Sequence, residues 1–150
     1  MSKIIVDGYN LIGIAHQDLK RAREEIIKQL IEYKKKKGYE ITLVFDGHIG
    51  GLGRETIEYV GGIKIIYSAL GERADDVIKK IIQKDKSFWI VISSDKEIEK
   101  AAWRENCVAI NSETFLDILN GEFYYCERPK GITLSKKQKA IQRVIMKLIC

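Results

Sequence analysis

Apolar and polar positions fall in blocks along this chain, and the blocks have two different periods. Residues 3–7 (KIIVD), 40–46 (EITLVFD), 63–67 (IKIIY), 88–92 (FWIVI) and 107–110 (CVAI) are apolar almost throughout. Their length and β-branched content predict buried strands. Between them the apolar residues recur at helical spacing. Over 17–37 they are Leu19, Ala22, Ile26, Leu30 and Tyr33, with Gly38 as the stop. Over 73–84 they are Ala74, Val77, Ile78, Ile81 and Ile82, and over 95–104 they are Ile98, Ala101 and Ala102. A further helix begins at Asn111 or Ser112 and runs to Leu119. Residues 57–60 (IEYV) read as a short edge strand, and the glycines of 47–56 (GHIGGLGRET) as a loop.

Strands alternating with helices predict βαβ units, a mostly parallel sheet and right-handed crossovers. Strands that are apolar on both sides predict helices covering both faces. The last segment, Ser135 to Cys150, reads as a helix with Ile141, Val144, Ile145 and Leu148 on one face. Lys136, Lys137, Lys139, Arg143 and Lys147 occupy its other faces. The expected organisation is therefore one α/β domain over 1–126 and a basic helical extension over 127–150, packed on or beside it.

Composition narrows the class. With 150 residues, 45% apolar and 31% charged, the chain has the balance of a soluble domain with its own core. No apolar run approaches the roughly 18 residues of a membrane span. The first residues lead straight into a strand without a signal-peptide pattern, so a cytoplasmic protein with no membrane partner is expected. Cys107, Cys126 and Cys150 suggest neither a disulfide framework nor a zinc site, since no CxxC is present and the histidines are His16 and His48. The net charge of +5 is uneven: seven Lys and Arg lie between Arg128 and Cys150 with no acid among them. Such a surface suits a polyanion such as RNA. The Lys34–Lys37 run is explained more simply by the negative end of a helix dipole.

The strands also deliver acids. Asp7 and Asp46 each follow an apolar run, and Asp95 lies just past "IVISS". Glu72, Asp75 and Asp76 ("ERADD") open the helix after the 63–67 strand. In an open parallel sheet all four places lie on one rim, at the carboxyl ends of the strands. Asp95 reads equally well as a helix N-cap, and Asp75 or Asp76 as a first-turn acid. Asp7 and Asp46 are harder to explain by local structure, because a charge after a core strand is costly unless partnered. Oxygen-only ligands select hard cations, Mg²⁺ or Mn²⁺, and two such ions ~3.5–4 Å apart can hydrolyse a phosphodiester. Asn10 has an amide suited to a phosphate oxygen or to water, or serves as a turn residue with Gly8. Ser93 and Ser94 offer hydroxyls at the same edge. "DGYNLIG" is neither a dinucleotide fingerprint nor a P-loop.

These segments, "IIVDGYNLIG", "ITLVFDGH", "GIKIIYSALGERADDVI" and "WIVISSD", resemble the YacP-like branch of the NYN domains, in the PIN-like nuclease superfamily. The resemblance spans about residues 3–119. It implies a three-layer α/β/α Rossmann-like fold with strand order 3-2-1-4-5 and a Mg²⁺- or Mn²⁺-dependent endoribonuclease acting on single-stranded RNA, with the RNA free or presented by a ribosome or another complex. Carried onto this chain, it implies Asp7, Asn10, Asp46, Asp75, Ser94 and Asp95 as catalytic residues. The metal ligands would be Asp7, Asp46, Asp75 and Asp95, with Asp76 beside them. Tyr9, His48, Arg54, Arg73, Lys136, Lys137 and Arg143 are expected to contact RNA, by stacking or by charge. The alternative is an RNA-binding module of the same fold that does no chemistry.

Overall fold

The computed structural model describes residues 2–13, 18–47, 53–123, 131 and 133–150. Its elements run β1 (Lys3–Asp7), α1 (Gly8–Ile12), α2 (Leu19–Lys37), β2 (Glu40–Phe45), β3 (Thr56–Val60), β4 (Ile63–Tyr67), α3 (Ala74–Lys84), β5 (Trp89–Ile92), α4 (Lys96–Arg104), β6 (Val108–Ile110), α5 (Ser112–Asn120) and α6 (Lys136–Ile149). One sheet holds all six strands in the order β3-β4-β2-β1-β5-β6. The neighbours are parallel except β3 and β4.

The five parallel strands, counted alone, stand in the expected 3-2-1-4-5 order. The sheet differs from that expectation by β3, which adds an antiparallel sixth strand at the edge. Gly61 and Gly62, with φ of 58° and 85°, make the two-residue turn that folds β3 onto β4. Both residues of such a tight hairpin need left-handed φ, which glycine adopts without strain.

Alternation along each strand divides the core in two. Ile4, Val6, Leu43, Phe45 and Ile65 pack under α2, α5 and α6, together with Leu30, Tyr33, Phe115, Val144 and Leu148. Ile5, Val44, Ile66 and Val91 pack on α3 and α4, with Val77, Ile78, Ile98 and Ala102. Both faces are therefore covered, which is why the strands carry no polar alternation. Asp18 caps α2, accepting from the Arg21 N–H at 3.1 Å, and Gly38 ends it at φ 79°.

The C-terminal helix is part of this packing. Val144 and Leu148 are buried. The buried Tyr33 hydroxyl donates to the Leu148 carbonyl at 2.8 Å, and Lys37 Nζ donates to the Ile149 carbonyl at 2.6 Å. A capping box between Ser135 and Gln138 starts the helix.

Two local expectations change. "GYNLI" is a short helix, α1, rather than a bare turn. Gly8 permits it, because a Cβ there would run into the Phe45 ring. Thr56, read as loop, begins β3. His16, His48 and Cys126 lie outside the described residues. Among the described residues no helix is long and apolar enough to cross a membrane.

Candidate active site

β1 is the middle one of the five parallel strands and ends in Asp7, which is only 8% exposed. Its Oδ2 accepts the Ser93 hydroxyl at 3.1 Å. Ser93 is the first residue after β5, so the two central strand ends are tied by one side-chain hydrogen bond. The Ser93 oxygen also accepts the Asp95 N–H at 3.1 Å. Burial pushes the Asp7 carboxyl up to about 6. Its bond from Ser93 opposes that rise, the negative charges of Asp95 and Asp75 add to it, and a backbone N–H from Asn10 opposes it weakly. Three of the expected acids thus act on one another across three chain segments.

Asp95 is also the N-cap of α4, with Oδ1 accepting the Glu97 N–H at 2.8 Å. The capping and rim roles coexist in one side chain. In the first turn of α3 the two adjacent acids separate. Asp75 is the more enclosed, with its carboxylate 13% exposed, 3.6 Å from Arg73 Nε and 3.8 Å from Lys79 Nζ. Asp76 turns back to the helix start, where its Oδ2 accepts the Arg73 N–H at 3.2 Å. Asp76 thus carries a capping bond as Asp95 does, while Asp75, not Asp76, is among the charges that raise the Asp7 carboxyl.

Asp46 follows β2, half-buried. The register pairs Asp7 with Val44, so Asp46 lies two residues further along the neighbouring strand, about 7 Å on. Gly47 beside it is fixed from the far side. Its N–H donates to Ser68 Oγ at 2.9 Å, and that hydroxyl donates to the Glu72 carbonyl at 2.6 Å. A Cβ at Gly47 would overlap the Ser68 carbonyl oxygen. Ser68 thus ties the ends of β2 and β4 as Ser93 ties β1 and β5.

Asn10 stands exposed on α1. Its side-chain oxygen accepts the Ser94 N–H at 2.8 Å and the Ser112 hydroxyl at 2.6 Å. Ser94 Oγ accepts the Ser112 N–H at 3.0 Å. Asn111, not Ser112, caps α5, which leaves the Ser112 hydroxyl to the site.

The expected RNA contacts fare differently. Tyr9 is buried, with its ring 5.0 Å from that of Phe45 and its hydroxyl accepting from Arg23 at 2.9 Å. It is closed to a base, which corrects the stacking role. Arg54, Arg73, Lys136, Lys137 and Arg143 are exposed. Lys137 is paired with Glu99 of α4 at 2.8 Å, which brings the start of α6 beside the helix that Asp95 opens. His48 lies outside the described residues.

Sequence reasoning passed over Ser68 and named Ser112 only as a possible cap. A hydroxyl residue within two positions of the end of an apolar strand, as in "IKIIYS" and "AINS", was the available signal.

Among the described residues no three His, Cys, Asp or Glu side chains are arranged as a ready metal site. The donor chemistry nevertheless suits a hard divalent cation: oxygen ligands only, with a buried carboxyl crowded by two further negative charges.

A family model described as the YacP-like NYN domain matches residues 4–145, and so runs into α6, well past the 3–119 span that the motifs carry. An uncharacterized protein YacP of Bacillus subtilis (strain 168) is 34% identical over 91 residues, which is 55% of this chain and 52% of that protein. The chain thus spans about half the length of the curated relative it matches. The crystal structure of Rae1 (YacP) from Bacillus subtilis superposes with a TM-score of 0.66 at 24% identity, covering 99% of this chain and 82% of that one. A mutant form of the same protein gives 0.65 at 19% identity, over 99% and 92% of the two chains. At these identities the likeness is one of fold.

Proposed function

This chain belongs to the YacP-like NYN domain family, and from that membership and the rim just described we propose that it is an endoribonuclease hydrolysing single-stranded RNA with Mg²⁺ or Mn²⁺. NYN domains are placed among the PIN-like nucleases, which supports hydrolysis of a phosphodiester. The observation that carries the proposal is the Asp7 carboxyl, buried at the central strand end and pushed up to about 6 with Asp75 and Asp95 repelling it. An acid is kept in such a place at a cost to stability, and a divalent cation offsets that cost.

Asp7, Asp46, Asp75 and Asp95 would hold the cation. Bound there, it supplies positive charge to the scissile phosphate and makes water a better nucleophile. The chain's own groups position the substrate. Asn10 offers its NH₂ to a non-bridging oxygen, and the Ser93 and Ser68 hydroxyls tie the strand ends together. Arg54, Lys136, Lys137 and Arg143 hold the flanking phosphates through charge.

The test is incubation of wild type and Asp7→Asn with mixed-sequence single-stranded RNA in Mn²⁺, Mg²⁺ or EDTA. Metal-dependent internal cleavage that is lost in Asp7→Asn is the expected result. Cleavage by the variant at the wild-type rate would move the site elsewhere. Tight RNA binding in EDTA, with no cleavage in either metal on free or ribosome-bound RNA, would favour the binding module instead.

A further inference from the structure

Asn10 has one side-chain oxygen, and two donors from two other segments converge on it. The Ser94 N–H comes from the end of β5 at 2.8 Å, and the Ser112 hydroxyl from the start of α5 at 2.6 Å. Both lone-pair directions of that oxygen are thereby occupied. The amide cannot turn over, because a flip would set NH₂ against the Ser94 N–H, which can only donate, and the Ser112 hydroxyl closes the second lone-pair direction of the same oxygen. Its Nδ2 has no protein partner among the described residues, and Asn10 is exposed, so the NH₂ is the end presented outward. The opposite orientation would show an acceptor to a phosphate, which repels it.

Of the two donors, the Ser94 N–H is main chain and is present whatever the side chain at 94. The Ser112 hydroxyl is the part that the sequence chooses. Ser112 is 4% exposed, 102 residues from Asn10 in the chain, and outside every rim motif. Its own N–H donates to Ser94 Oγ at 3.0 Å, so the same residue also fixes the loop that carries Asp95. The helix it begins is capped by Asn111, which accepts the Thr114 N–H at 2.8 Å. Capping therefore does not explain the hydroxyl.

We infer that Ser112 is a positioning residue: the Ser94 N–H sets which way the Asn10 amide faces, and the Ser112 hydroxyl, through its own bond to Oδ1, holds that amide in place with NH₂ toward the rim, as a donor for a phosphate oxygen. The inference rests on the nuclease reading for its effect on rate, but the orientation itself is measurable without RNA.

The experiment compares wild type, Ser112→Ala, Ser112→Thr and Asn10→Asp. The first readout is the assigned Asn10 side-chain NH₂ pair in a ¹H–¹⁵N spectrum of the metal-free protein. In Ser112→Ala the pair should shift and exchange faster with water, and in Ser112→Thr it should return toward the wild-type position. The second is single-turnover cleavage of RNA. Ser112→Ala should lose about 10–100-fold in rate with KM little changed, and Ser112→Thr should recover most of it. Asn10→Asp keeps an oxygen for both donors but replaces the outward NH₂ by a second oxygen. It should keep its fold and lose both cleavage and RNA binding.

An unchanged Asn10 NH₂ pair in Ser112→Ala overturns the inference, as does cleavage within twofold of wild type. If wild type cuts no RNA, the nuclease reading fails separately and the NH₂ signals alone decide the role of Ser112. If Ser112→Ala fails to fold, the Asn10→Asp result decides: RNA binding retained there would sink the inference.

Discussion

Ser93 donates its hydroxyl to Asp7 Oδ2 at 3.1 Å while the same oxygen accepts the Asp95 N–H at 3.1 Å. One small buried side chain thus fixes the central acid of the rim and the backbone of the acid next to it. Replacing it with alanine removes the bond that holds the Asp7 carboxyl down and leaves the Asp95 N–H unpaired. Ser93→Ala should cost about 1–3 kcal/mol of stability. It should also push the Asp7 carboxyl further up, so the pH at which Mn²⁺ binding is half-maximal should rise. Titrations of Mn²⁺ affinity against pH, for wild type and variant, check both the sign and the residue.

Asp7 itself should weaken the folded protein at neutral pH. Its ordinary value is 3.8 and its folded value about 6. The folded state therefore holds the proton more tightly than the unfolded chain. Below pH ~4 both states are protonated and no penalty arises. Between pH ~4 and 6 the unfolded chain ionises while the folded state keeps its proton, so the penalty grows across that window and is complete above 6, at most about 3 kcal/mol. Asp7→Asn removes the charge. Its amide can still accept the Asn10 N–H and donate to Ser93 Oγ, whose hydroxyl rotates. The variant should be more stable than wild type at pH 7.5, with the difference vanishing near pH 4. Millimolar Mg²⁺ or Mn²⁺ should raise the Tm of wild type and leave that of Asp7→Asn unmoved. Denaturant curves at the two pH values and thermal melts with metal test this, and equal stability at pH 7.5 would contradict the cost assigned to the buried acid.

Asp7 and Asp46 were legible because each directly ends an apolar run, and that pattern is local. Which of Asp75 and Asp76 faces the rim was not legible. Both satisfy the same first-turn rule, and what separates them is tertiary: the Asp75 charge acts on Asp7, while Asp76 returns to the Arg73 N–H. Strand β3 was visible as "IEYV", but an edge strand has one pairing partner and a weak pattern. Helix α1 was hidden because Asp, Gly and Asn are turn residues by propensity, while the close approach of Gly8 to Phe45 is a tertiary fact. The apolar face of α6 was evident. Its seat was not, since the bond from Tyr33 to the Leu148 carbonyl joins residues 115 apart.

Gly47 makes the sharpest packing prediction. Its neighbour Asp46 is a proposed ligand, and a Cβ at 47 would occupy the space of the Ser68 carbonyl oxygen. Backbone cannot move aside as a flexible side chain can, so Gly47→Ala must separate β2 from the residue that follows β4. The cost should be about 1–3 kcal/mol, together with loss of the Gly47 N–H bond to Ser68. Gly38→Ala is the control. There φ is 79° and nothing lies within 4 Å, so its cost, about 1 kcal/mol, is conformational. If Asp46 serves the metal, Gly47→Ala should weaken Mn²⁺ binding and Gly38→Ala should not. Calorimetric titration of both variants with Mn²⁺ separates a displaced ligand from a general loss of stability.

The C-terminal helix gives the last prediction, because it joins the basic surface to the fold. Leu148 is fully buried against α2 and Phe115, and Val144 lies beside it. Leu148→Ala should cost about 2–5 kcal/mol. Tyr33→Phe, which removes only the hydroxyl bonded to the Leu148 carbonyl, should cost about 1 kcal/mol. Neither touches the rim, so metal affinity should persist in whatever fraction remains folded. Charge removal works the other way. Lys136→Ala with Arg143→Ala leaves the buried face intact and should change stability by no more than about 0.5 kcal/mol, since both side chains are exposed surface groups. It should weaken RNA binding and flatten its salt dependence, because fewer counterions are released from the polymer. Stability lost without RNA affinity in the first pair, and RNA affinity lost without stability in the second, would show that α6 has one face for the core and another for the substrate. Unchanged RNA affinity and salt slope in Lys136→Ala/Arg143→Ala would remove α6 from the RNA surface and leave its lysines as a solvated face of the core.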